Sequence, residues 1–204
     1  MIYTITLNPA LDYTIRLKNL TINEINTSEN EYILPGGKGI NVSIILKRLG
    51  VESTIIGFIS GFVGEEIKRL VEIENIKTEF IKLKGENSRI NIKILEENNE
   101  TAINCKGPYI ENEYIEKLYQ KLDYLKDDDI LVISGSVPKG INEEIYEKIC
   151  ERIKSKNIKI VVDSTKDLLL NTLKYKPFLI KPNHHELGEI FDTKIKTKAQ
   201  ALEY

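Results

Sequence analysis

The chain has 204 residues, of which 41% are hydrophobic and 29% charged, with a formal net charge of -2. That length and balance suit one globular domain with a sizeable core, and the interspersed acids and bases exclude the basic face that nucleic acid or an anionic membrane requires. Cys105 and Cys150 are too few for a disulfide framework or a zinc set, so two free thiols in a reducing compartment are expected.

Residues 1–5 run straight into a strand, with no basic segment and apolar stretch of the kind a signal peptide needs, and no run is long enough to span a membrane. The expected location is the cytoplasm, with neither nucleic acid nor membrane as a partner. Residues 2–7 read as a buried strand stopped at Pro9, and Asp12 falls between it and an alternating, half-exposed strand over 13–17. A short strand over 31–34 is cut by Pro35-Gly36-Gly37. A helical period then runs to Gly50, a C-terminal cap.

A core strand over 53–58 follows, and Gly57, Gly61 and Gly64 punctuate the approach to a helix over 65–74. Residues 80–83, 89–95 and 101–104 read as strands with polar alternation, which suits a sheet open on one face. Beyond Gly107-Pro108 helix and strand alternate: helices over 111–125, 143–156 and 166–173, and apolar strands over 130–134, 159–163 and 178–181. That order signals a parallel sheet covered on both faces. Asp127-Asp128-Asp129 reads as a solvated turn, and Thr197 caps a final helical segment. The unfinished alternation at Tyr204 is expected to reflect a C-terminal part of the core that is missing.

Five places could carry chemistry. Gly36-Gly37-Lys38-Gly39-Ile40-Asn41 opens a helix, so its backbone N–H groups and Lys38 could meet a phosphate while Asn41 meets hydroxyls; a glycine-rich turn before a core helix fits the spacing equally. It is no Walker loop, since neither Ser nor Thr follows the Gly-Lys pair. Asp12 could hold a sugar hydroxyl, or be a solvated turn residue. Arg89 and Asn91 share one strand face, suited to a phosphate with hydroxyls beside it. Ser134-Gly135-Ser136 lies at the carboxyl end of a buried strand, where open α/β sheets bind ligands. Asn183 and Glu186 are three apart and could hold magnesium through water if a helix begins there, whereas His184 and His185 have no third ligand for zinc.

Taken in order, Thr4 to Tyr13, Gly36 to Ser43, Gly57 to Gly64, Arg89-Ile90-Asn91, Gly107-Pro108, Ser134 to Pro138, and Ile180 to Asn183 with Glu186 resemble the ribokinase-like, phosphofructokinase-B carbohydrate kinase family. The resemblance runs from the first strand to about residue 192. It implies a three-layer α/β/α core with a small β-sheet lid drawn from about 12–35 and 88–106, in a single kinase domain. It implies phosphorylation of a sugar phosphate by ATP with Mg2+, most closely fructose 1-phosphate to fructose 1,6-bisphosphate. Tagatose 6-phosphate is the alternative substrate, and a non-catalytic binding or dimerising remnant the alternative role. A homodimer through the lid is implied as well.

By the same resemblance Asp12 and Asn41 would hold sugar hydroxyls. Gly37 and Gly39 would admit the backbone to the sugar. Lys38, Arg89 and Ser136, with Asn91 alongside, would neutralise the substrate's phosphate. Lys181, Asn183 and Glu186 would face the nucleotide phosphates, with Asn183, Glu186 and Asp163 about the metal through water. The family's Gly-Ala-Gly-Asp or Gly-Ser-Gly-Asp loop, whose aspartate is the catalytic base, has no counterpart in these residues. Negligible kinase activity is therefore expected of the 204-residue chain by itself.

Overall fold

A computed structural model describes Met1–Tyr204. Six strands form a wholly parallel sheet, and their sequence explains the arrangement. β1 (Ile2–Thr6), β4 (Ser53–Ser60) and β8 (Ile130–Ser134) are short apolar runs, buried on both faces. With β5 (Lys77–Leu83), β9 (Lys159–Asp163) and β10 (Leu179–Ile180) they lie in the order β10-β9-β8-β1-β4-β5. β1 is central, with Ile5 opposite Ile56 on one side and Ile133 on the other.

Period-two alternation sends neighbouring residues to opposite layers. Ile5, Ile56, Phe58, Ile133 and Val162 face α3 (Asn112–Asp123), α4 (Ile145–Ile153) and α5 (Lys166–Leu170), where Leu118, Leu122, Tyr146 and Ile149 complete the main core. Ile55 faces the other way, toward α1 (Lys38–Arg48) and α2 (Gly61–Ile73), in a smaller core with Ile40, Val63, Ile67 and Val71. Thr4 also faces α1, and its hydroxyl meets that of Ser43 at 2.8 Å. The result is the expected three-layer core.

A second sheet has four strands in the order β3-β2-β6-β7: β2 (Ala10–Arg16), β3 (Asn30–Gly36), β6 (Arg89–Leu95) and β7 (Glu100–Ile103). β2 and β6 pair in parallel at its centre, and β3 and β7 add antiparallel edges. Pro35 is tolerated because β3 is an edge. The chain closes with α6 (His184–Ile190) and α7 (Lys198–Ala201), the latter capped by Thr197 with Gln200.

Three expectations are corrected. Asp12 is not in a turn: β2 begins at Ala10 and places it in register with Asn91. α2 begins at Gly61 and not at residue 65. Gly61 has φ +59, and Gly64 lies inside the helix, where a Cβ would come within 2.9 Å of Ile59 Cβ. Asp129 is not solvated. It is 6% exposed, accepts from the Met1 amine at 2.8 Å, and accepts the Lys126 N–H. No helix is long and apolar enough to cross a membrane.

Candidate active site

The carboxyl ends of β1 and β8, the start of α1 and the start of β6 enclose a cavity of about 190 Å3, lined by Thr6, Asn8, Gly37, Lys38, Arg89, Ser134, Gly135 and Ser136. Every one of these residues is polar or glycine. Two glycines make the approach possible. Gly37 has φ +123, and a Cβ there would meet the Thr6 side chain. Gly135, at φ +95, turns the chain so that Ser136 reaches the rim. Tyr146, wholly buried, donates its hydroxyl to the carbonyls of Ser134 and Gly135 at 3.2 and 3.1 Å and so fixes this turn from beneath.

Arg89 enters where the chain crosses between the sheets. Its Nε donates to the Asn8 carbonyl at 3.1 Å and its Nη1 to that of Cys105 at 3.4 Å. Burial pulls its pKa below the usual arginine value, and the carboxylate of Asp12 partly offsets this. The group remains a cation at any physiological pH.

Asp12 and Asn91 meet as the register of β2 and β6 dictates, Asn91 Nδ2 donating to Asp12 Oδ1 at 2.9 Å. Lys93, two residues further along the same face, donates to Asp12 Oδ2 at 2.9 Å. Sequence reading passed over Lys93, although continuing the alternation Arg89, Asn91 would have reached it. Asp12 also lies under Gly36, where a Cβ would come within 2.6 Å of its carboxyl group. A carboxylate so held is a fixed acceptor for hydroxyl donors.

Lys38 reaches toward two carboxylates. Its Nζ donates to Asp163 Oδ1 at 2.9 Å and Glu186 Oε1 at 3.1 Å. Partial burial works to lower its pKa, but the bonds to the two acids outweigh that and hold it above the usual lysine range. Lys181 Nζ lies 3.2 Å from the same Asp163 oxygen. Lys38 therefore joins the polar cavity to the carboxylates at the end of β9 and the start of α6. Asn41 is exposed on α1 and lines a shallow groove with Lys38, Val42, Ile45, Leu46, Asp163 and Lys181. The structure thus brings Gly37, Lys38, Arg89 and Ser136 to one cavity, places Asp12 and Asn91 together beside it, and sets Asn41 outside. Gly39 packs α1 against the Ile5 carbonyl.

Asn183 and Glu186 do begin a helix, but they are bound to each other. Asn183 Oδ1 accepts the N–H groups of His185 and Glu186, and Glu186 Oε2 accepts that of Asn183, a reciprocal capping box. With Glu186 Oε1 taken by Lys38, these oxygens do not fit a directly coordinated Mg2+. No cluster of three or more His, Cys, Asp or Glu offers an alternative. What fits is contact through water from Asp163, whose Oδ1 alone is engaged by lysines.

A three-layer core with a polar cavity at its strand ends and a second sheet beside it is an architecture shared with solved phosphofructokinases. Phosphofructokinase-2 from Escherichia coli, in complex with fructose-6-phosphate, matches with a TM-score of 0.90 at 26% identity, over 99% of this chain and 67% of that one. In sequence, the pfkB family carbohydrate kinase profile matches residues 6–204, and the chain belongs to that family. The 1-phosphofructokinase of Bacillus subtilis is 44% identical over 204 residues, covering all of this chain and 67% of the relative. A tagatose-6-phosphate kinase of Staphylococcus epidermidis is 36% identical over 205 residues, covering 99% of this chain and 66% of the relative. The chain spans about two thirds of the length of these relatives.

Proposed function

We propose that the chain forms the sugar-phosphate side of an ATP-dependent sugar-phosphate kinase whose acceptor is fructose 1-phosphate and whose product is fructose 1,6-bisphosphate. The observation that carries this reading is the cavity itself: Arg89 and Lys38 on a wholly polar wall, with the Asp12–Asn91 pair adjoining it. Arg89, Lys38 and Ser136 would hold the phosphate already on the sugar. Asp12, oriented by Asn91 and Lys93, would accept the sugar hydroxyls, with Asn41 at the outer side. Gly37 and Gly39 would keep the backbone close.

ATP with Mg2+ would supply the transferred phosphoryl group. Lys181, Asn183 and Glu186 mark its end of the site, and Asp163 would hold the metal through water. Transfer depends on positioning and on neutralising the moving charge. Asp12, Asp163 and Glu186 are each ion-paired to a lysine, so none is free to take a proton from the attacking hydroxyl. A general base contributes about 10²–10⁴-fold, and turnover by these 204 residues alone should be correspondingly small. The second sheet would lie over the sugar as a lid. Its exposed Tyr32, Ile33, Leu34 and Ile103 suit pairing with a second copy in a homodimer.

Tagatose 6-phosphate is the competing substrate, favoured by the Staphylococcus epidermidis relative. Calorimetric titration with inorganic phosphate, fructose 1-phosphate and tagatose 6-phosphate, beside a coupled ADP-release assay, tests these readings. Tightest binding of fructose 1-phosphate, weakened but still measurable in Arg89→Ala, supports the proposal. Tighter tagatose 6-phosphate binding selects the alternative. No binding of any sugar phosphate by the folded chain overturns both, and turnover at an ordinary kinase rate refutes the argument from the paired carboxylates.

A further inference from the structure

Asn8 belongs to none of the roles above, yet it stands at the point where the two sheets join. It is 7% exposed, on the short crossing between β1 and β2. Its backbone carbonyl accepts Arg89 Nε at 3.1 Å, and its side chain crosses to the other support of that arginine, Nδ2 donating to the Lys106 carbonyl at 3.1 Å. Lys106 follows Cys105, whose carbonyl accepts Arg89 Nη1. The guanidinium is thus held by two carbonyls from segments almost a hundred residues apart, and the Asn8 side chain is the tie between those segments. Gly107 makes room for it: φ is +82 there, and a Cβ would strike Asn8 Oδ1.

The geometry fixes what remains of Arg89. A guanidinium is rigid and planar with five N–H groups. With Nε and one Nη1 hydrogen committed, three N–H groups are left, one on Nη1 and two on Nη2, and Arg89 lines the cavity. The neighbourhood also bears an energetic mark. Thr6 Oγ1, Asn8 Oδ1 and Asn91 Oδ1 are buried without hydrogen-bond partners, three of the five such side-chain atoms in the chain. Unsatisfied polar groups are costly and concentrate where function requires a particular geometry.

We propose that Asn8 is a positioning residue: by tying residue 106 to residue 8 it sets the spacing of the two carbonyls that aim Arg89 at the cavity, and so controls phosphate affinity through Arg89. The inference rests on the reading that the cavity takes the substrate's phosphate. It is tested by a double-mutant cycle on the full 204-residue chain, reading inorganic phosphate and fructose 1-phosphate affinity by calorimetry, with thermal unfolding of the ligand-free proteins alongside. Asn8→Ala is expected to weaken phosphate binding about tenfold, and to weaken it no further once Arg89→Ala is present. A merely structural role would show instead as equal losses in both backgrounds. Asn8→Ser retains a shorter donor and is expected to restore part of the affinity; it also serves as the test variant should Asn8→Ala not fold.

Undiminished phosphate binding in both Asn8 variants, or additivity with Arg89→Ala, overturns the inference and leaves the functional reading standing. Phosphate binding that Arg89→Ala leaves unchanged, or no phosphate binding by the unaltered chain, overturns the functional reading and the inference with it.

Discussion

Gly39→Ala perturbs the site through its scaffold. A Cβ at residue 39 would lie 2.6 Å from the Ile5 carbonyl oxygen and closer still to Thr6 Oγ1. The backbone of residue 39 is helical, so the obstacle is packing and not conformation. Carbon–oxygen contacts settle at about 3.3 Å, so the start of α1 must retreat from β1 by about 0.7 Å. β1 is central in the sheet and cannot yield, while α1 packs on β1 and β4 through wholly buried Ile40 and Ser43. Overpacking of this kind costs about 1–3 kcal/mol, which in a domain of this size lowers Tm by roughly 2–12 °C. The same retreat lifts Lys38 from Asp163 and Glu186 and opens the cavity wall. Urea and thermal denaturation should therefore show the loss of stability, and calorimetry at least a tenfold weaker affinity for fructose 1-phosphate. Arg48→Ala, on an exposed position of the same helix, controls for helix propensity. A Tm and affinity equal to those of the unaltered chain would refute the close approach of α1 to β1.

Asn183→Ala removes the acceptor that caps α6 and should lower stability by about 1 kcal/mol, a fall in Tm of roughly 2–4 °C by calorimetric scan. Lys38 has its pKa raised in the folded state above the usual lysine value of 10.5, so its contribution is fully present below that value and is lost as pH rises through the folded pKa. The urea midpoint of the unaltered chain should consequently fall toward that of Lys38→Met above pH 10.5, and stay apart from it at pH 8. Cys105 is exposed, whereas burial pushes the Cys150 thiol up to about 12. One thiol per folded chain should react with a disulfide reagent at pH 8, and two in denaturant; rapid reaction of both in the folded protein would contradict the packing of α4.

The alternation of apolar strands with helices after Gly107 was legible because each strand is short, apolar throughout and bounded by turns. The second sheet was legible in the polar alternation of residues 89–95. Local signals misled where glycine served packing: Gly64 reads as a turn residue but lies inside α2 because Ile59 is too close for a side chain. Asp12 was displaced from its strand because Pro9 reads as a longer interruption than it is. The partners of Lys38 are 125 and 148 residues away, and no spacing rule brings them to the sugar end of the site. The capping box at Asn183 was within reach, since Asn followed three residues later by Glu is its signature; the pair was read for metal chemistry alone.

The central place of β1 has a consequence for how the protein is made. Its neighbours are β4 and β8, and the second pairing sets Ile2 against Ile130, as the Met1 amine meets Asp129 across 128 residues. A ribosome delivers roughly 5–20 residues per second, so β1 waits on the order of ten seconds for its partner β8. During that interval its edge toward β8 carries unpaired backbone groups beside apolar side chains, the condition under which nascent chains pair with one another. Slowing translation between β4 and β8 should therefore raise the insoluble fraction.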